Sequence, residues 1–145
     1  MITTDINEAK KELESDEIIA IPTETVYGLA GNAYSENALK KIFALKKRPL
    51  YNPLIVHIKS ADFLPQVAKE IPDLAITLGK AFWPGPLTLV LKKQPHIPDL
   101  VTSGKDTVAI RVPNHPITLK LLEQLEFPLA APSANPFGSD RKSVV

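Results

Sequence analysis

Apolar positions recur along the 145-residue chain with two different spacings, and each spacing predicts an element. Helical spacing runs over residues 5–15, and "EIIAIP" at 17–22 reads as a short buried strand closed by proline. A second helix is predicted over "SENALKKIFALKK", with Ser35 as N-cap and Leu39, Ile42 and Phe43 on one apolar stripe. "PLIVHI" is a strand with little polar interruption. Residues 61–70 and 73–82 read as two helices parted by Pro72, "LTLVLKK" and "DTVAIRV" as strands, "ITLKLLEQL" as a helix and "FPLAA" as the last strand.

Helices and strands therefore interleave, but the two strands read as central, 87–93 and 107–112, are joined by a Pro/Gly-bearing loop without a helix. That order predicts an α/β fold on a mixed, twisted open sheet rather than a purely parallel one. No repeat, low-complexity tract or linker divides the chain, so residues 1–145 are read as a single domain.

Composition agrees with a packed domain. A chain of this length buries roughly 68–70% of its unfolded surface, and 44% hydrophobic with 23% charged residues is ordinary globular usage. Fourteen prolines against six glycines point to stiff loops. The absence of cysteine excludes disulfides, thiolate metal sites and a cysteine nucleophile. The first residues lack a basic start with an apolar stretch, and no apolar run approaches a membrane span, so a cytoplasmic protein without membrane contact is expected. A net charge of +1 carries no message about nucleic acid, but its distribution is uneven. Residues 5–17 hold six acids against two lysines, whereas "KKIFALKKR" at 40–48 holds five basic residues and no acid.

Chemistry gathers at a few places. "IPTETVYGLAGNA" puts Thr23, Glu24, Thr25 and Tyr27 directly after the first strand, followed by Gly28 and Gly31; it reads as a ligand loop or as a polar turn with structural glycines. It is not a P-loop, since no Gly-Lys-Ser/Thr follows. Lys46 lies four residues after Ile42 and seven after Leu39, on the core-facing stripe, where an ammonium needs an anionic partner; Lys47 lies off it. Solvated lysines remain the plain reading of Lys40, Lys41 and Lys47. With Arg48 and Asn52, Lys46 makes "KKRPLYNP" suited to a polyphosphate or acidic ligand. His57 shares a strand face with Ile55 and is either a hydrogen-bonded core residue or functional. In "DTVAIRV", Thr107, Ala109 and Arg111 share one face and Val108, Ile110 and Val112 the other, which leaves room for a carboxylate or phosphate beside the guanidinium. "FWPGPLTLVL" reads as structural, its aromatic bulk anchoring a tight turn.

In this order "PTETVYGL", "KKRP" with "NPLIVHI", "WPGPLTLVL", "DTVAIRVPNHP" and "PLAAPSAN" closely resemble the YrdC/TsaC family of threonylcarbamoyl-adenylate synthases, over about residues 17–138. The resemblance implies a twisted open mixed sheet with flanking helices around a concave, positively charged cavity. It implies synthesis of threonylcarbamoyl-AMP and pyrophosphate from L-threonine, bicarbonate and ATP, for the threonylcarbamoyl modification of tRNA. The family's Lys-x-Arg element matches Lys46 and Arg48, and its Ser-x-Asn element matches Ser133 and Asn135, four residues implied to be catalytic. By the same resemblance Thr23, His57, Arg111 and Ala131 line a threonine site, and Arg48, Asn52, Thr107 and Ser133 a nucleotide site. No Asp/Glu pair in the matched motifs forms a metal site, so Mg²⁺ is expected to arrive with ATP.

Two other readings share these motifs. One is a non-catalytic module for tRNA or double-stranded RNA, which a concave cationic surface suits. The other is a carbamoyl-transfer domain of hydrogenase-maturation proteins, which belong to much larger chains. Proteins that receive the threonylcarbamoyl group are implied partners of the enzyme. Family members usually continue past Gly138 into a Ser-Pro-Thr-type segment, which residues 139–145, "SDRKSVV", do not match; a shortened or altered C-terminus is therefore expected.

Overall fold

The computed structural model describes residues 5–22, 27–46 and 53–132, with the backbone alone for Tyr27 and Lys46. Local rules set the helices. In α1 (Ile6–Glu14) the Asp5 carboxylate accepts from the backbone N–H groups of Asn7 and Glu8. In α2 (Glu36–Lys46) the Ala38 N–H donates to Ser35 Oγ at 3.2 Å, the expected cap, and Leu39, Ile42 and Phe43 are buried as the stripe requires. α4 (Asp73–Phe82) begins after Pro72, and α6 (Pro116–Gln124) carries proline in its first turn with His115 Nδ1 accepting from the Ile117 N–H.

Among the described residues six strands form one mixed sheet: β1 (Ile19–Pro22), β2 (Tyr27–Asn32), β3 (Ile55–His57), β4 (Leu89–Lys92), β5 (Thr107–Arg111) and β6 (Leu129–Ala131), in the order β1-β2-β6-β3-β5-β4. Only β3 and β5 pair in parallel; the other neighbours are antiparallel. The mixed α/β sheet is as the element order predicts.

Four details differ from the sequence reading. Residues 27–32, taken as loop, are strand β2 in a hairpin with β1. Its glycines hide the strand signal, yet Gly31 has a packing reason: an added Cβ would stand 3.1 Å from Ile18 Cγ2 and 3.2 Å from Ala38 Cβ, so glycine lets α2 lie close on the sheet. The helix expected over 61–70 is a 3₁₀ turn, Ala61–Phe63, followed by the single turn α3 (Leu64–Val67). It stops because Ala68 pairs with Lys93 and the Lys69 N–H donates to Lys92 O, which covers the outer end of edge strand β4. β4 is thus an edge strand rather than a central one. Finally, a one-turn helix, α5 (Asp99–Thr102), stands between β4 and β5, ended by Ser103 and Gly104 at positive φ.

The sheet has two unlike faces. Leu54, Val56, Ile58, Leu89, Leu91, Val108, Ile110 and Val112 point with Ala130 into one core, closed by residues of α2, α3, α4 and α5. On the other face Ile19, Ile21, Ala30, Leu129 and Ala131 pack beneath Ala9 and Leu13 of α1 and Leu121 and Leu122 of α6. That second roof lies over the β1-β2-β6 half. Along β3, β5 and β4 the same face keeps Ile55, Val90, Thr107, Ala109 and Arg111 half-exposed.

Candidate functional site

Strand registers build this half-open strip. Ala131, Ile55, Ala109 and Val90 align across β6, β3, β5 and β4 as one row. The next row holds Leu129, His57 and Arg111. Thr107 lies on Arg111's face four residues away, so the two are about 13 Å apart along β5.

Arg111 is half-exposed, and its Nη2 lies 3.4 Å from Gly85 O. His57 beside it is buried, with Nδ1 3.1 Å from Ile55 O. Burial first, and then the neighbouring Arg111 charge, bring the imidazole pKa down to about 3, against hydrogen bonds to the backbone of Ile55 and Leu129. His57 is neutral, and Arg111 supplies the positive charge of this row. A guanidinium on this partly open strip, beside the uncharged Ile55, Val90, Thr107 and Ala109, can take a planar anion through paired N–H donors.

Of the residues singled out in the sequence, the fold makes His57 and Arg111 neighbours and sets Thr107 at the far end of the same strip. Ala131 shares the face, but its methyl belongs to the core under α1 and α6, at the border of the open half. Thr23, Arg48, Asn52, Ser133 and Asn135, and the side chain of Lys46, lie outside the described residues. The described strand ends next to them nevertheless converge. Pro22 pairs with Tyr27, β6 ends at Ala131 opposite Ile55, and β3 starts where β5 starts, so all these ends border one end of the sheet, the Thr107 end.

The sequence reading missed Gly85. Its carbonyl faces Arg111 across 26 residues of chain, and no local pattern signals that pairing. Among the described residues no three His, Cys, Asp or Glu side chains group as metal ligands, and no helix is long and apolar enough to cross a membrane.

A family model described as "Telomere recombination", for Sua5, YciO and YrdC, matches residues 11–144. The chain is 57% identical over 123 residues to the threonylcarbamoyl-AMP synthase of Pyrococcus abyssi, covering 85% of this chain and 36% of that protein. It is 49% identical over 131 residues to the threonylcarbamoyl-AMP synthase of Bacillus subtilis, covering 90% of this chain and 38% of that one. A crystal structure of P. abyssi Sua5 complexed with L-threonine matches with a TM-score of 0.86 at 55% identity, over 90% of this chain and 38% of that chain. The chain thus spans little more than a third of the length of these relatives.

Proposed function

The chain belongs to the Sua5/YciO/YrdC family, and from that premise we propose that it makes threonylcarbamoyl-AMP and pyrophosphate from L-threonine, bicarbonate and ATP, for threonylcarbamoyladenosine in tRNA. The observation that carries this reading is Arg111 beside a neutral His57 on the sheet face that the described helices leave open. In this reading residues 1–145 are one domain with a concave basic cavity over that face.

Arg111 takes the threonine carboxylate bidentately, with Thr23, His57 and Ala131 around the rest of the amino acid. A neutral His57 adds no second cation and leaves the amine free to react. The amine attacks bicarbonate carbon, water leaves and a carbamate forms; a carbamate oxygen then attacks the α-phosphorus of ATP and pyrophosphate departs. Lys46 and Arg48 offset the charge on the phosphates, while Asn52, Thr107, Ser133 and Asn135 hold the nucleotide. Convergence of the strand ends beside these segments at the Thr107 end supports one shared nucleotide region. Mg²⁺ enters with ATP, ligated by phosphate and water oxygens. tRNA and the proteins that transfer the threonylcarbamoyl group are the partners this chemistry implies downstream.

The test is synthesis: the protein with ATP, bicarbonate and radiolabelled threonine yields a labelled adenylate and pyrophosphate. A folded sample that makes neither sinks the proposal. Salt-sensitive binding of double-stranded RNA without turnover would favour the non-catalytic module.

A further inference from the structure

The "WPGP" turn packs as bulk, but its backbone also points at the site. The Trp83 indole N–H donates to Leu87 O at 2.8 Å, closing the turn from Trp83 to Leu87. The ring is seated on α4, since a Cβ at Gly79 would come within 3.0 Å of Trp83 Cε3. Gly85, buried in the middle of the turn, is tied to the end of β5 and to the residue after it: its N–H donates to Val112 O at 2.9 Å, and its carbonyl accepts from Arg111 Nη2 at 3.4 Å. A Cβ at Gly85 would stand 2.5 Å from Phe82 O, a backbone atom that cannot swing aside, so any side chain there moves the turn.

We propose that the Trp83–Leu87 turn is the positioning element of Arg111, with the Gly85 carbonyl aiming the guanidinium across the open strip. An arginine on a strand has several rotamers, and ordering it afresh at each binding event costs affinity. An acceptor fixed to the backbone of the next residue, Val112, removes that freedom beforehand. It also occupies donor capacity at one Nη, so the guanidinium presents a defined edge to its ligand. The turn is thereby a determinant of selectivity for a carboxylate over its uncharged analogue. Gly85 and Trp83 touch no substrate in this account; they act through Arg111. The proposal rests on the reading of Arg111 as the threonine carboxylate clamp.

The experiment compares wild type, Gly85→Ala and Trp83→Phe in two measurements: calorimetric affinity for L-threonine and for L-threoninamide, and hydrogen exchange of the Arg111 guanidinium N–H groups by NMR. Wild type is expected to prefer threonine by about thirtyfold, Gly85→Ala by under about threefold, and Trp83→Phe by an intermediate ratio, as loss of a hydrogen bond to a charged group predicts. Arg111 exchange is expected to quicken in both variants. Trp83→Phe removes the indole donor and part of the ring while leaving the backbone at Gly85 free of a new Cβ, so it decides the matter if Gly85→Ala does not fold. Variants that keep the wild-type preference overturn the proposal. If wild type binds neither compound, the functional reading falls and exchange alone judges the turn: unchanged Arg111 exchange in the variants overturns it, and faster exchange upholds it.

Discussion

His57 and Arg111 are register partners in the parallel β3–β5 pair, so a neutral imidazole and a guanidinium share one row of the sheet. The guanidinium helps keep the imidazole uncharged, and the imidazole in turn leaves it as the single cation of the row. The fold buries His57 against backbone carbonyls while Arg111 stays half-exposed, which suits the first to shaping the site and the second to meeting an anion.

Burial of this imidazole, and then the charge beside it, make stability depend on acid. The folded pKa of His57, about 3, lies below its ordinary 6.5, so between these values the unfolded chain binds the extra proton. The stabilising contribution is complete above pH 6.5 and is lost as pH falls toward 3, at up to about 1.4 kcal/mol per pH unit. Urea unfolding at pH 7 and pH 5 should therefore show a larger loss for wild type than for His57→Gln; equal losses would contradict it.

The two faces can be told apart by one kind of substitution at two alanines. Ala130 is fully buried in the core under α2, and Leu there should cost about 1–3 kcal/mol by overpacking. Ala109 is half-exposed on the open strip. Leu there should change stability by no more than about 0.5 kcal/mol while lowering turnover by on the order of a hundredfold through a displaced substrate. Thermal melts and the synthesis assay, run side by side, decide it.

Thr118 of α6 is fully buried, and its hydroxyl donates to the carbonyl of Pro22 at the end of β1. Thr118→Val removes a buried donor and should cost about 1–3 kcal/mol, whereas Thr118→Ser keeps the bond and should retain most of the stability. Denaturant midpoints for the pair give the answer; a valine variant as stable as wild type would show the bond to be dispensable.

Lys46 continues the stripe of Leu39 and Ile42, and Lys47 does not. Lys46→Ala should lower turnover by roughly a hundredfold or more, the scale expected for loss of a group that stabilises developing charge, while Lys47→Ala stays near wild type. Equal effects on steady-state rates would refute the helical argument.

What could be read directly lay in short-range spacing. The period-two alternation of Thr107–Val112 separates Arg111 from Ile110, and the burial along β5 follows it residue by residue. The stripe of α2, its Ser35 cap and the Pro72 break before α4 were equally local. β2 escaped because Gly28 and Gly31 erase the alternation, although Gly31 is there to admit α2.

Strand order was beyond any local pattern. β6, last of the described strands, inserts between β2 and β3, and β4 ends at the edge because residues 68 and 69 cover its outer end. Such pairings are settled by competition among distant segments for burial and backbone hydrogen bonds, which period and propensity do not encode. Which side chains share a face follows from amino-acid order alone, because it is set by the geometry of a strand or helix a few residues long. That α1 and α6 roof one half of a face and leave Arg111's half open, and that the carbonyl of Gly85 stands beside its guanidinium, emerges from the folded chain alone, because both depend on how remote elements pack.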